Sequence, residues 1–195
     1  MDDLLWRHWI VSYAIKHAKK FSKIKEYTLV ECGVEWGYTA FFALKTLSNS
    51  LENNQEFTMH LYDAWKDMRE DELLESESWH VNLYKNLDIN STKQNLHEFS
   101  KNLIYHQGYI PDSLTEKPDS PDTIFYLHID LNSAKPTESA LDFFYPRLVS
   151  GGVILFDDYG WDAYEDTKHA IEDFFEDKPG VLMKLPTGQA IYFHN

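Results

Sequence analysis

Three aspartates close two apolar runs of the sequence. Asp130 follows "TIFYLHI", and Asp157 and Asp158 follow "GGVILF". Both runs have the β-branched and aromatic composition of buried strands, so each carboxylate is expected at a strand end. Neighbouring strands lie about 4.8 Å apart, and adjacent strands would bring the three carboxylates together. Such a group must be compensated, either by a proton held at a raised pKa or by a hard divalent cation with oxygen ligands.

We predict a metal site formed by Asp130, Asp157 and Asp158. Mg²⁺ or a similar hard cation suits carboxylate oxygens, whereas Zn²⁺ would need nearby histidine or cysteine ligands. The alternative is structural, because aspartates at these positions can cap the helices that follow. His128 lies two positions before Asp130 on the same strand. We interpret it as a hydrogen-bonded core histidine rather than as a ligand.

Strand-like and helix-like segments alternate along the chain and predict a single domain over residues 1–195. The strand-like runs are "YTLVECGV", "EFTMHLYDAW", "KNLIYHQG", "DTIFYLHID" and "GGVILFDD". Helical patterns between them favour a parallel sheet covered on both faces. The final "GVLMKLPTGQAIYFHN" contains a Pro-Thr-Gly turn and predicts an antiparallel hairpin. That turn is taken to account for Thr187 and Gln189 without a functional role.

Two further segments flank this sheet. Residues 1–26 predict an amphipathic helix, whose core face is formed by Trp6, Ile10, Tyr13, Ala14, His17 and Phe21. Residues 66–100 are polar and acidic with isolated aromatic residues. We interpret them as a helical excursion over the edge of the active site, in the role of a lid.

Glycine and aspartate at the ends of the first two strands predict a ligand site, because ligands of open α/β sheets bind beyond the carboxyl ends of the strands. Gly33 and Gly37 allow a tight turn, and the helix that follows offers free N–H groups. The spacing is not the dinucleotide fingerprint G-x-G-x-x-G. Asp63 ends the second strand, where a carboxylate can accept both hydroxyls of a ribose. The alternative for Asp63 is a cap on the next turn.

The charge balance excludes some classes of partner. The formal net charge of −14 repels phosphate backbones and anionic lipid headgroups, so we expect neither nucleic-acid nor membrane binding. The first ten residues lack the pattern of a secretory signal, and no run approaches the length of a membrane span, so a cytoplasmic location is expected. Cys32 lies in an apolar strand and is interpreted as a buried thiol.

Six segments taken in order resemble the macrocin O-methyltransferase (TylF-like) family of S-adenosylmethionine-dependent enzymes. They are "LVECGVEWGYTA", "HLYDAW", "HQGYIPDSL", "FYLHIDLNSAKP", "YPRLVSGGVILFDDYGW" and "LPTGQ", and the resemblance runs from Tyr27 to the C-terminus. It implies a Rossmann-like class I methyltransferase fold with a mostly parallel seven-stranded sheet, a C-terminal antiparallel hairpin and helices on both faces. Self-association into a homo-oligomer is also compatible with it.

The resemblance also implies where the methyl donor, S-adenosylmethionine, binds. The methionine side would be lined by Glu31, Gly33, Gly37, Tyr38 and Thr39. Asp63 would hold the ribose, and Gly108 and Tyr109 would lie near the adenine. Because the donor carries a sulfonium charge, an acidic pocket suits it.

By the same resemblance, the acceptor is a hydroxyl of a small sugar-containing or polyol-like molecule. An alcohol is a poor nucleophile at neutral pH; coordination to a divalent ion lowers its pKa, and a carboxylate takes the proton. Asp130 is the predicted metal ligand and catalytic base. The chain departs from the family pattern "DxDxY", since Asn132 and Ala134 replace the second aspartate and the tyrosine. Asn132 cannot act as a base, which leaves the base and the acceptor open.

Two other functions compete with this one. A protein that binds S-adenosylmethionine without turnover is one, favoured by the Asn132 departure. The other is a nicotinamide-dependent oxidoreductase, because Tyr164 and Lys168 have the Y-x-x-x-K spacing of short-chain dehydrogenases. Against it, Tyr164 shares a helical face with apolar residues and is interpreted as a core residue. Trp65 and Trp161 flank the predicted mouth and either stack on a sugar ring or form a half-buried rim.

Overall fold

Seven strands form one sheet in the computed structural model, which describes residues 5–52, 55–115 and 120–195. The strands are β1 (Glu26–Cys32), β2 (Glu56–Asp63), β3 (Leu103–Gln107), β4 (Ile124–Ile129), β5 (Leu148–Phe156), β6 (Gly180–Lys184) and β7 (Ala190–His194). Their order across the sheet is β3-β2-β1-β4-β5-β7-β6. The first five pair in parallel, and β7 runs antiparallel to both β5 and β6. The predicted mostly parallel sheet with a C-terminal antiparallel hairpin is confirmed.

Helices cover both faces of this sheet. The described α-helices are α1 (Leu5–Phe21), α2 (Tyr38–Ser48), α3 (Ile89–Asn95), α4 (Asp112–Thr115), α5 (Ala134–Phe144) and α6 (Glu165–Phe175). One apolar cluster packs α1 and α2 against the sheet, and a second packs α5 and α6 on the opposite face. All six residues of the central strand β4 are buried, as expected for a parallel strand covered on both sides. Cys32 is a fully buried free thiol, as predicted.

Helix α1 presents a different face to the core from the one that we predicted. Its buried residues are Ile10, Val11, Ala14, Ile15 and Ala18. Tyr13 and Phe21 are 46% and 51% exposed, so their assignment to the core face is wrong. Along the outer surface, neighbouring aromatic rings contact each other instead, as in the stacked pair of Trp9 and Tyr13. Small and branched side chains allow α1 to lie close to α2 and the sheet, which the larger aromatic residues would prevent.

Residues 66–100 form short helical pieces rather than one helix. They comprise 3₁₀ turns at Glu70–Glu72 and Glu75–His80, helix α3 and the start of a 3₁₀ turn at His97–Asn102. Glu77 is buried and accepts hydrogen bonds from the backbone N–H groups of Leu74 at 2.9 Å and Ala134 at 2.7 Å. The segment is therefore tied to the start of α5. That it opens and closes as a lid stays a prediction.

The strand ends that carry the predicted site residues are level with one another. In the parallel registers Cys32 pairs with both Tyr62 and Ile129, and Ile129 pairs with Phe156. Consequently the residues that follow β1, β4 and β5 emerge at the same edge of the sheet. Within the described part of the chain, no helix combines the length and the apolarity needed to cross a bilayer.

Candidate active site

A cavity of about 400 Å³ opens at the carboxyl ends of the parallel strands. Six of the predicted site residues line it: Gly33, Asp63, Gly108, Tyr109, Asp130 and Asp158. Residues from α1 and from segment 66–100 complete its wall. The position and size are those of a small-molecule site in an open α/β fold.

Four predicted cofactor residues lie behind or beside this cavity wall, as formed by the described residues. Glu31 is buried within β1, where its Oε1 lies 3.3 Å from Nδ1 of His128. Burial, reinforced by the charges of Asp130 and Asp63, raises the pKa of Glu31. Gly37, Tyr38 and Thr39 lie at the start of α2, and the Tyr38 side chain is 59% exposed. Contact of these four residues with the cofactor stays a prediction.

Gly33 is required by the packing of two strand ends. Its φ of +81° is in the left-handed region, and a Cβ atom there would lie 1.8 Å from the backbone carbonyl oxygen of Asp130. Its N–H donates to the carbonyl of Tyr62 at 2.9 Å. The glycine thus lets the ends of β1 and β4 approach each other, which fixes the distance between the glycine turn and Asp130.

Asp63 organises the glycine turn. Its Oδ2 accepts hydrogen bonds from the backbone N–H groups of Val34 at 2.7 Å and Glu35 at 2.9 Å. Its Oδ1 accepts from the N–H of Trp65 at 2.5 Å, which is the local cap considered as an alternative for Asp63. The carboxylate therefore stabilises two turns and still lines the cavity. Trp65 is buried and donates through Nε1 to Thr92 at 2.9 Å, so it is not a rim residue.

Gly108 and Tyr109 form the end of the cavity beyond β3. The Gly108 N–H donates to the carbonyl of Asp63 at 2.9 Å, and the Tyr109 hydroxyl donates to the carbonyl of Asp67 at 2.9 Å. The Arg69 guanidinium lies 5.3 Å from the centre of the Tyr109 ring. These contacts hold a flat aromatic surface at the end where the resemblance predicts the adenine.

The opposite end of the cavity contains an arginine that the sequence analysis missed. Arg7, on α1, donates through Nε to Asp157 Oδ1 at 3.1 Å, and its NH2 group pairs with Asp157 Oδ2. The same NH2 group lies 3.7 Å from Asp130 Oδ2. The signal that was available is the sequence of the first turn of α1, where a cation is unfavourable beside the helix dipole.

Gln189 also belongs to this acidic end. It is fully buried, and its Nε2 donates to Asp157 Oδ1 at 2.6 Å. Gln189 therefore makes a tertiary hydrogen bond that its place in the turn did not predict. Hairpin β6–β7 places it beside β5, a proximity that the local sequence does not reveal.

Asp158 and Asp157 have different hydrogen-bond partners. Its Oδ2 accepts the N–H of Asn132 at 2.8 Å, and its carboxyl group is within hydrogen-bond reach of Asp130. Burial, followed by the charge of Asp130, raises the pKa of Asp158 well above its ordinary value. The carboxylates are therefore compensated in two ways: the Arg7 guanidinium pairs with Asp157, and the raised pKa of Asp158 favours its protonated form.

Asn132 links the acidic end to Tyr164. The Tyr164 hydroxyl donates to Asn132 Oδ1 at 2.8 Å, and the Asn132 amide nitrogen lies 3.4 Å from Asp130 Oδ1. Tyr164 lines the cavity, so its interpretation as a core residue is wrong. Burial and the charges of Asp158 and Asp130 raise its pKa. Asn132 lines the cavity, and the orientation of its amide group is fixed because its Oδ1 already accepts this hydrogen bond.

The acidic end has donor atoms at metal-binding spacing, although not the predicted set. One ligand atom each from His128, Asp130 and Asp157 lies within 4.8 Å of the other two. His128 is buried, its Nε2 has no hydrogen-bond partner among the described residues, and burial lowers its pKa to about 4. A neutral imidazole and two carboxylates fit a divalent cation. Asp158, the third predicted ligand, is hydrogen-bonded next to this set.

Aromatic residues line the cavity beside the carboxylates. Trp161 is 41% exposed and its ring lies 6.0 Å from that of Trp6. Tyr84, from segment 66–100, also lines the cavity. Burial and the nearby charges of Asp130 and Asp158 raise the pKa of Tyr84. Sequence reasoning missed Tyr84, because nothing in its local sequence distinguishes it from other isolated aromatic residues.

Comparison with protein families identifies one match. A family model described as a methyltransferase domain matches residues 30–159, which is more than half of the chain. No curated protein sequence matches the chain at a significant level.

Solved structures with the same fold include several O-methyltransferases. The chain superposes on the O-methyltransferase NovP with a TM-score of 0.78 and 15% identity, covering 97% of this chain and 79% of NovP. For the calicheamicin methyltransferase CalS11 the TM-score is 0.70 at 14% identity, with the same coverage of 97% and 79%. A second structure of CalS11 describes it as a TDP-rhamnose 3′-O-methyltransferase. An O-methyltransferase from Bacillus cereus, in complex with SAH, gives 0.63 at 12% identity over 100% of this chain and 83% of its own.

Proposed function

Since the chain belongs to the methyltransferase-domain family and is an S-adenosylmethionine-dependent methyltransferase, we propose that it methylates a hydroxyl oxygen of a small acceptor. The acceptor class that we propose is a sugar-containing or polyol-like molecule, bound with the help of a divalent cation. The observation that carries this proposal is that one cavity joins the glycine turn and Asp63 to the carboxyl group of Asp130. A donor held at one end and a base at the other are what methyl transfer to oxygen needs.

The donor would bind along the glycine-turn end of the cavity. Asp63 and Tyr109 both line the cavity; Asp63 would accept ribose hydroxyls, and the Tyr109 ring would offer a surface for a flat base. Glu31, Gly37, Tyr38 and Thr39, with Gly33, would line the donor's methionine side, as the resemblance implies. S-adenosylmethionine supplies an electrophilic methyl group on a positively charged sulfur, a charge that the carboxylates of the cavity favour.

The acceptor would bind at the acidic end. Asp130 is the proposed catalytic base: a carboxylate oxygen takes the hydroxyl proton as the new oxygen–carbon bond forms and the carbon–sulfur bond breaks. Asp158, with its raised pKa, can share that proton with Asp130. The rings of Trp161, Tyr84 and Tyr164 provide faces on which a sugar can stack while excluding water.

A divalent cation such as Mg²⁺ would be held by Asp130 and Asp157, with His128 as a further donor atom and Asp158 beside them. Bound there, it would lower the pKa of a coordinated hydroxyl. Support for this part comes from the spacing of the three donor atoms and from the unpartnered Nε2 of His128.

We also propose that the chain falls within the macrocin O-methyltransferase-like group, on the basis of its six ordered motifs. That CalS11 is described as a sugar O-methyltransferase is compatible with this assignment. The net charge of −14 favours a small molecule over a nucleic acid or an anionic membrane as acceptor. A cytoplasmic location and self-association remain predictions.

The test is a methyl-transfer assay with radiolabelled S-adenosylmethionine and a panel of nucleotide sugars, glycosides and polyols. We expect transfer to at least one hydroxylated acceptor, and a loss of about 100-fold or more in Asp130→Asn because the base is removed. Calorimetry of donor binding to both proteins serves as the control, since the donor site should remain intact.

The same measurements decide between the alternatives. Donor binding with no transfer across the panel would favour a silent binding protein. The oxidoreductase alternative predicts binding of reduced nicotinamide to the wild type, detected by a fluorescence change. If Asp130→Asn transfers methyl groups as fast as the wild type, the proposed role of Asp130 is wrong.

A further inference from the structure

The cation that pairs with the acidic site belongs to the chain itself. Arg7 contacts Asp157 through both Nε and NH2, and its NH2 group lies 3.7 Å from Asp130. These are two of the three residues whose donor atoms have metal-binding spacing. Arginine and a metal ion at this position would therefore use the same carboxylate oxygens.

Physical chemistry makes the two occupants mutually exclusive. Mg²⁺ binds carboxylate oxygens at about 2.0–2.1 Å and demands near-octahedral geometry, so it competes with the guanidinium for the carboxylate of Asp157. A guanidinium next to a divalent ion would also be repelled by it, and little water is available to screen that repulsion, because Asp157 is 1% exposed. Either cation neutralises the carboxylates, but both cannot do so at once.

The arginine-bound arrangement leaves the Nε2 atom of His128 unsatisfied. His128 is 1% exposed, and its Nε2 has no hydrogen-bond partner among the described residues. Arg7 does not relieve this, since its guanidinium is directed at the carboxylates of Asp157 and Asp130. A metal ion would take up the His128 lone pair together with Asp130 and Asp157, so the unpaired nitrogen indicates a second state of the site.

Arg7 is also placed where it can leave. It lies in the first turn of α1, where helices fray most readily and where the helix dipole disfavours a cation. Its side chain is 29% exposed, which gives the guanidinium a route to solvent. Withdrawal requires rotation of one side chain and leaves the buried residues of α1 in place.

We propose that Arg7 is the resident counter-ion of the acidic site, and that a divalent cation binds only as Arg7 withdraws from Asp130 and Asp157. The proposal rests on the metal site included in the proposed function. Arg7 thereby sets the affinity for the metal ion and couples ion binding to the conformation of its own side chain. It is a positioning residue, since it acts on the acceptor through the carboxylates.

The test measures ion binding without donor or acceptor. Mn²⁺ binding is followed by electron paramagnetic resonance for the wild type, Arg7→Gln and Arg69→Gln. Arg69 is the matched control, because it lines the same cavity but pairs with Asp71, Glu72 and Asp112. We expect Arg7→Gln to bind Mn²⁺ about tenfold more tightly than the wild type, as a charge-assisted competitor is removed, and Arg69→Gln to stay within about twofold.

A second readout is thermal stability in chelator and in Mg²⁺. Arg7→Gln should melt at a lower temperature than the wild type in chelator, and should gain more from Mg²⁺, because the ion then replaces a missing counter-charge. Arg7→Lys keeps the charge but loses the guanidinium fork, and should fall between the two in Mn²⁺ affinity. It also provides the test if Arg7→Gln does not fold.

Equal or weaker Mn²⁺ binding in Arg7→Gln, or no binding in any of the proteins, would overturn the proposal. Methyl-transfer assays on the wild type separate this failure from failure of the proposed function. Transfer that is insensitive to chelator, with no Mn²⁺ bound, would leave the O-methyltransferase assignment intact and reject the role of Arg7. Tighter Mn²⁺ binding by Arg7→Gln, without methyl transfer to any acceptor, would support the role of Arg7 and reject the O-methyltransferase assignment.

Discussion

The two ends of the cavity are built in different ways. The glycine-turn end is made by residues at the ends of three neighbouring strands. Gly33 lets the ends of β1 and β4 meet, and Asp63 at the end of β2 accepts backbone N–H groups of the turn. Residues from five separate segments make the acidic end: Arg7 on α1, Asp130 after β4, Asp157 after β5, Tyr164 before α6, and Gln189 before β7.

The two ends therefore differ in how a substitution affects them. Hydrogen bonds to backbone groups hold the glycine turn, and a change there disturbs the meeting point of two strands. Side chains from distant elements hold the acidic end, and a change there leaves the strands in place. We therefore expect substitutions at the first end to act mainly on stability and donor binding, and those at the second end mainly on ion and acceptor binding.

Gly33→Ala should have the largest effect. The new Cβ would lie 1.8 Å from a backbone oxygen, and φ is +81°, so no side-chain rotation relieves the contact. We expect unfolding free energy to fall by about 3 to 5 kcal/mol in urea titration. The matched control is Gly160→Ala, whose nearest contact would be 3.2 Å away and whose effect should stay below about 1.5 kcal/mol. Equal effects at the two glycines would contradict the role given to Gly33.

Asp63→Asn tests whether one carboxylate serves both fold and ligand. Three backbone donors lose a charged acceptor, and we expect a loss of about 2 to 3 kcal/mol in stability together with weaker S-adenosylmethionine binding by calorimetry. Asp162→Asn changes an exposed carboxylate near the cavity and should alter neither quantity. A loss of stability with unchanged donor affinity would restrict Asp63 to a structural role.

Tyr164→Phe should affect the acceptor more than the donor. The hydrogen bond to Asn132 Oδ1 is lost, at a cost of about 1 kcal/mol, and kcat/KM for the acceptor should fall about fivefold. Donor affinity should change by less than about twofold. Tyr145→Phe, whose hydroxyl lies 3.3 Å from that of Tyr192 far from the cavity, is the control. A larger effect on the donor than on the acceptor would erase the distinction between the two ends.

His80→Leu should produce the smallest effect, visible only as a change in pH dependence. His80 is buried in segment 66–100, its ring lies 5.2 Å from that of Tyr164, and burial lowers its pKa. Below about pH 6.5 the unfolded chain takes up a proton that folded His80 does not, so the wild type loses stability as the pH falls. Between pH 7 and 5, His80→Leu should lose less unfolding free energy than the wild type does. The difference between the two losses should be under about 1 kcal/mol.

The measurement is urea unfolding at both pH values, with exposed His97→Leu as the control. An unchanged difference between the two pH values in His80→Leu would show that the segment does not hold His80 neutral.

Sequence reasoning reached most of the fold because the relevant signals are local. Apolar runs that end in glycine or aspartate predicted the strands, and the Pro-Thr-Gly turn predicted the hairpin. Sequence reasoning failed where one sequence pattern is compatible with more than one way of packing. On α1, an aromatic stripe and a stripe of small and branched residues both have helical spacing. Packing against α2 and the sheet selected the small and branched residues, leaving Tyr13 and Phe21 exposed.

The acidic site shows the same limit. The order of motifs predicted that Asp130, Asp157 and Asp158 would meet, and the level strand ends bring them together. Their partners could not be predicted, since Arg7 and Gln189 are 150 and 32 residues from Asp157 in sequence. Tyr164 was assigned to the core from its helical spacing, but it precedes α6 and points into the cavity instead.

By itself the sequence determined which strands form and what chemistry stands at their ends, because strand propensity and turn residues act over a few neighbouring positions. Only the tertiary structure decided which charges meet. Electrostatic compensation acts through space at a few ångströms, and the chain brings α1, β5 and β7 into that range only when the whole sheet is assembled.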